Sequence, residues 1–185
     1  MFTNHAARQI NNATRNPQTQ NMSNKFTHLD SAGNPSMVDV GGKKITKRTA
    51  KARSILVVEE SILAQFKDKD IQAKKGPVFQ TAILAGVMGA KKTSELIPLC
   101  HPLGLDNCQV HIHINEANEI VIDCTASLTA KTGVEMEALT GATVAALTIY
   151  DMCKAFSHNI VIKETRLIEK TGGKRDFKLK NLPAF

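Results

Sequence analysis

The sequence has no tryptophan and a single tyrosine, and aromatic residues make up only 4% of it. That excludes an aromatic platform on which unpaired nucleic-acid bases could stack, and it leaves Ala, Val, Ile, Leu and Met to fill the core. The four cysteines, Cys100, Cys108, Cys124 and Cys153, form no Cys-x-x-Cys pair and no zinc-site spacing. Reduced thiols of an intracellular protein are therefore expected, with no cysteine triad to hold an iron–sulfur cluster. No apolar run reaches the roughly 20 residues of a membrane helix, and the N-terminus lacks the apolar stretch of a secretory signal. A soluble cytoplasmic protein with no membrane contact is the expectation.

Acids are missing from one end and outnumbered at the other. Residues 1–25 hold Arg8, Arg15 and Lys25 and no acid, residues 163–180 hold seven bases against three acids, and residues 26–162 balance at 14 of each. The net charge of +7 is thus peripheral. A duplex-binding surface needs its basic stripe on the fold itself, so a small polyphosphate ligand is expected as partner rather than nucleic acid.

Six Asn and three Gln with few large apolar residues mark residues 1–25 as a disordered tail. Residues 26–185 are read as a single domain, opening with an irregular Gly/Pro/Asp/Ser-rich segment over 26–46. A strand is expected over 47–58, with its Ala- and Arg-containing first half also compatible with a helix, then a short helix over 59–70 and a helix over 77–92 with Pro77 in its first turn. Val110-His111-Ile112-His113-Ile114 and Ile120-Val121-Ile122 alternate around Glu116-Ala117-Asn118 as a hairpin. A long helix over 134–156 and a strand over 160–168 complete the order. The result is an α+β, ferredoxin-like βαββαβ fold, an antiparallel sheet with helices packed on one face. His111 and His113 point to the other face, where self-association is expected to provide cover; no third ligand is spaced to make them a metal pair.

Three segments carry reactive side chains. In TSELIPLCHPL, residues 93–103, Pro98 and Pro102 stiffen the backbone around Cys100-His101, although a structural loop with a capping histidine would read the same. In TGVEMEALT, residues 132–140, Glu135 fits the dipole preference of any helix start. Glu137 is less ordinary, because Glu137, Gly141, Val144, Thr148 and Asp151 share one stripe that a buried helix would fill with aliphatics. Gly141 there leaves room for a ligand or another backbone. In YDMCKA, residues 150–155, Asp151 and Lys154 are either a surface ion pair or a base with its cationic partner. The C-terminal KTGGKRDFKLK, near residues 170–178, reads as a flexible basic loop able to close on phosphates, or as a solvated tail.

Taken together, FTHLDSAGNPSMVDV, KKGPVF, AGVMGAKKTSELIPLCHPL, TGVEMEALTGATVAALTIYDMCKAF and KTGGKRDF resemble, in order and spacing, the signature blocks of the MoaC family across residues 26–178. The resemblance implies an enzyme that converts a cyclised dihydro-GTP to cyclic pyranopterin monophosphate with loss of diphosphate, in molybdenum cofactor synthesis. It implies a hexamer built from dimers, with sites at the dimer interface. By matching position, Asp151, Lys154 and Lys75 would be catalytic; Leu99, Cys100, His101, Met136 and Glu137 would line the substrate; Lys170, Lys174 and Arg48 would bind it too. No metal site or resident cofactor is implied, with magnesium left open as a companion of the triphosphate. The loop here reads GGKRD where members of the resembled family usually carry a further glycine before the acid, and Pro77 stands where they often have an acid or amide. A nucleotide-binding regulatory module is the competing reading; it would use the same cations without needing Asp151.

Overall fold

A computed structural model describes residues 32–180; the expected tail over 1–25 lies outside the described residues. The elements in chain order are β1 (Thr46–Val57), α1 (Glu60–Leu63), β2 (Phe66–Lys67), β3 (Asp70–Ala73), β4 (Gly76–Pro77), α2 (Val78–Lys91), α3 (Thr93–Leu96), β5 (Asn107–Ile114), β6 (Glu119–Ala130), α4 (Glu135–Cys153), β7 (Val161–Thr171) and β8 (Phe177–Lys178). The main sheet runs β5-β6-β1-β7-β8 with every pairing antiparallel. Stripped of the short elements, this is the βαββαβ arrangement read from the sequence.

Alternation on β1 explains its place at the sheet centre. Ala50, Ala52, Ser54 and Leu56 are buried on the helix side, whereas Lys51 and Arg53 turn outward to Asp123. Small side chains at 50 and 52 let α4 sit close to the sheet, in a cluster with Ala126, Ala138 and Ala142. Ile122, Ile149 and Phe79 fill the other, larger cluster. The helices meet through glycine: a Cβ on Gly86 would stand 2.9 Å from the Gly141 carbonyl oxygen, and one on Gly89 would stand 2.7 Å from Val144 Cγ2. Of the two roles open to Gly141, close approach of another backbone is the one observed.

Residues 59–70 depart from expectation. Only Glu60–Leu63 is helical, and a small three-stranded sheet of β2, β3 and β4 follows. Asp68 and Lys69 both adopt positive φ, at 53° and 69°, as a two-residue hairpin turn requires. The Asp70 carboxylate then turns inward and accepts from the amides of Ile71, Phe79 and Gln80 at 2.6, 2.7 and 3.1 Å. Two of those amides belong to the first turn of α2, which has no side-chain cap of its own. Asp70 thus caps the helix from a neighbouring strand.

The outer sheet face is covered by charge. Arg53 grips Asp123 through two contacts of 2.7 and 2.8 Å, Lys163 reaches Glu119 at 2.6 Å, and Arg166 pairs with Glu164. His111 and His113 stack beside this grid with ring centroids 5.5 Å apart. Among the described residues no three His, Cys, Asp or Glu side chains converge as a metal would need, and no helix is long and apolar enough to cross a membrane.

Candidate active site

Four of the main elements end at one corner of the domain, and a cavity of about 850 Å³ lies between them. The start of β1 supplies Thr46, Arg48 and Thr49, and the α3–β5 loop supplies Leu99, Cys100, His101 and Leu103. The entry to α4 supplies Lys131, Thr132, Gly133, Glu135, Met136 and Glu137, the β7–β8 turn supplies Lys170 through Lys174, and the segment before β1 supplies Val38, Val40, Lys43 and Lys44. Arg48, Leu99, Cys100, His101, Met136, Glu137, Lys170 and Lys174, all marked as substrate-lining from sequence, line this one cavity.

Local structure holds each side chain in place. The loop carrying His101 leaves α2 through Thr93, whose hydroxyl donates to the Ala90 carbonyl at 3.0 Å, and turns where the Cys100 amide meets the Ile97 carbonyl at 3.0 Å. His101 Nε2 lies 2.9 Å from the Val38 carbonyl. A carbonyl only accepts, so Nε2 is the donor in this contact. The segment near 170–178 is a hairpin. Gly172, at φ +80°, takes the Asp176 side chain on its amide at 3.0 Å and the Thr46 hydroxyl on its carbonyl at 2.7 Å. Lys170 is thereby held facing Glu135, 2.7 Å away.

Electrostatics separate the groups in the cavity. Glu137 is 3% exposed and has no cation paired with it among the described residues. Burial, with a smaller push from Glu135, raises its pKa above the usual carboxylate value. Burial first and Glu137 second also raise the Cys100 thiol, which argues against a thiolate nucleophile there. Lys43, Lys44 and Lys174 bring ammonium groups without ion-pair partners among the described residues. Such a cavity can hold a polyanion beside one carboxyl whose ionisation burial disfavours.

Lys75, Asp151 and Lys154 stand apart. Asp151 sits between the two lysines, with Lys154 Nζ on Oδ1 and Lys75 Nζ on Oδ2, each at 2.7 Å. The hydrogen bond from Lys154 and then that from Lys75 lower the Asp151 pKa to about 2, and Asp151 in turn raises that of Lys154. The triad is half-exposed, at 59%, 52% and 50% for Lys75, Asp151 and Lys154. From Glu137 to Asp151 the helix climbs about 21 Å at roughly 1.5 Å per residue. The shared stripe therefore does not form one face of one pocket: its ends serve two locations and its middle is helix packing.

Sequence reasoning passed over Glu135 and Lys131. Glu135 looked like an ordinary first-turn acid. Lys131 did carry a signal, because a cation just before a helix N-terminus opposes the dipole and wants another reason to be there.

An antiparallel α+β domain with a cation-rich cavity at one corner and a Lys–Asp–Lys triad gathered at the C-terminal end of α4 has the makings of an enzyme acting on a phosphorylated small molecule. The chain belongs to the MoaC family, whose model matches residues 37–173. It is 53% identical over 154 residues to a cyclic pyranopterin monophosphate synthase of Xanthomonas oryzae, covering 82% of this chain and 92% of that protein. It is 51% identical over 168 residues to molybdenum cofactor biosynthesis protein 1 of Dictyostelium discoideum, of which it spans 27%. A molybdenum cofactor biosynthesis bifunctional protein of Synechocystis is 50% identical over 155 residues and is spanned to 45%.

Proposed function

We propose that the chain is a cyclic pyranopterin monophosphate synthase, a phosphorus–oxygen lyase of the cytoplasm that converts a cyclised dihydro-GTP to the cyclic pterin monophosphate and diphosphate. The observation that carries this reading is the convergence of all eight expected substrate-lining residues on one cavity whose Lys43, Lys44 and Lys174 have no ion-pair partner among the described residues. Rebuilding the purine-derived ring moves protons, for which Glu137, whose pKa burial raises, His101 and the Asp151–Lys154 pair are suited. Closing the cyclic phosphate requires a sugar hydroxyl to attack the α-phosphorus as diphosphate leaves, and lysines at the cavity mouth offset the charge of the leaving group. We assign no resident cofactor; magnesium arriving with the triphosphate would be part of the substrate.

The 21 Å climb along α4 supports a second element of the proposal. That separation fits a triad supplied to each cavity by a second copy, with the sites at a dimer interface and dimers assembling into a hexamer. Incubation of the purified chain with the cyclised intermediate tests the activity: a pterin and diphosphate in equal amounts are expected. Binding of the intermediate without conversion would favour the regulatory-module reading instead.

A further inference from the structure

Residues 38–43 cross the mouth of the cavity, and two cavity side chains hold them there by the main chain. His101 bonds the Val38 carbonyl, and Lys131 Nζ donates to the Gly41 carbonyl at 2.6 Å. The segment is a turn with its own internal bonds: the Gly41 amide donates to the Asp39 carboxylate at 2.7 Å, and the Lys43 amide to the Val40 carbonyl at 3.1 Å. Its centre is Gly41-Gly42, the pair of residues with the most backbone freedom to lose, so an anchor from outside the turn has much to add. Immediately after it come Lys43 and Lys44, both lining the cavity. Lys131, meanwhile, precedes the α4 N-cap Val134 by three residues. Glu135, the acid nearest in sequence, is engaged by Lys170, and the Lys131 ammonium meets a neutral carbonyl of the strap.

We propose that Lys131 is a positioning residue: it tethers the Gly41-Gly42 turn so that Lys43 and Lys44 stand over the cavity to meet a polyphosphate. It acts through the strap and not on the reacting atoms. The kinetic consequence rests on the cavity being the triphosphate site, but the tether itself does not.

Hydrogen exchange on the ligand-free full chain, read peptide by peptide, tests the tether in Lys131→Met and Lys131→Arg. Amides of residues 40–44 should exchange roughly tenfold faster in Lys131→Met, with Lys131→Arg close to wild type and the rest of the domain unchanged. In turnover of the cyclised intermediate, Lys131→Met should raise KM roughly five- to tenfold and leave kcat within about twofold. Should Lys131→Met fail to fold, Lys131→Gln carries the same comparison. Unaltered exchange at 40–44 overturns the proposal whatever the kinetics, and so does a fall in kcat at constant KM, which would move Lys131 into the chemistry. Faster exchange in a protein whose wild type turns nothing over leaves the tether standing and removes the functional reading.

Discussion

The two ends of α4 treat a carboxylate in opposite ways. At the N-terminal end Glu137 is buried without a cation, and burial pushes it toward the neutral acid. At the C-terminal end Asp151 is half-exposed between two lysines and is held ionised down to about pH 2. One helix thus carries an acid that resists ionisation and a fixed anion, a contrast that two acids in like surroundings could not supply. The triad belongs to the charged end and the cavity to the buried one, and the length of α4 keeps them apart within a chain.

The largest effect is expected where that separation is bridged. Asp151→Asn and Lys154→Ala should each lower turnover about 10²- to 10⁴-fold, the range for a positioned proton-transfer group, without loss of fold. Mixing is more informative. When Lys154→Ala and His101→Ala chains are unfolded together and refolded, a site shared across subunits regains one intact cavity-and-triad pair in each mixed dimer. Roughly a quarter of wild-type activity should return, because half the dimers are mixed and each has one good site of two. No recovery in mixtures shown by mass spectrometry to be mixed would place triad and cavity in the same subunit and break the comparison.

Next in size is the basic hairpin that faces the cavity. A Cβ on Gly172 would run into the Lys47 carbonyl oxygen, a backbone atom that cannot rotate away. Gly172→Ala should therefore cost about 2–3 kcal/mol and displace Lys170 and Lys174. Gly76 has an even less favourable φ of +111°, but a Cβ there would meet nothing within 4 Å. Gly76→Ala should cost only about 1 kcal/mol of backbone strain. Urea unfolding of the two variants reads the difference; equal costs would mean that the hairpin yields and that its lysines are not held by Gly172.

These contrasts also show what was legible beforehand. The βαββαβ order could be read because β5 alternates, α2 has apolar residues at helical spacing, and α4 is rich in the helix formers Ala, Leu, Met and Glu. The second half of β6, Thr125–Ala130, could not, since Ser127 and Ala126 have no strand preference and lie in the sheet because β1 pairs with them from Thr46 to Lys51. The β2–β3 hairpin was missed because its turn is Asp68-Lys69, without the glycine that usually marks such a turn. Cavity residues were legible as strings, whereas depth was not. A helical projection puts Glu137 and Asp151 on one line, but it carries no information about where α2 covers that line.

The smallest expected effect tests the buried end alone. A carboxyl whose folded pKa is raised adds stability that is fully present below its unfolded value and is lost as pH rises through the folded one. For Glu137 the window opens near the ordinary value of 4.5 and extends upward, because burial opposes ionisation in the folded state only. Asp151 adds nothing to this window: its pKa is lowered, so its contribution is lost only as pH falls toward about 2. Thermal unfolding of the wild type should therefore show stability falling with pH above 4.5 relative to Glu137→Gln, in which the titrating group is gone. Parallel curves for the two proteins would mean that Glu137 ionises freely in the folded cavity, and the contrast between the two ends of α4 would rest on Asp151 alone.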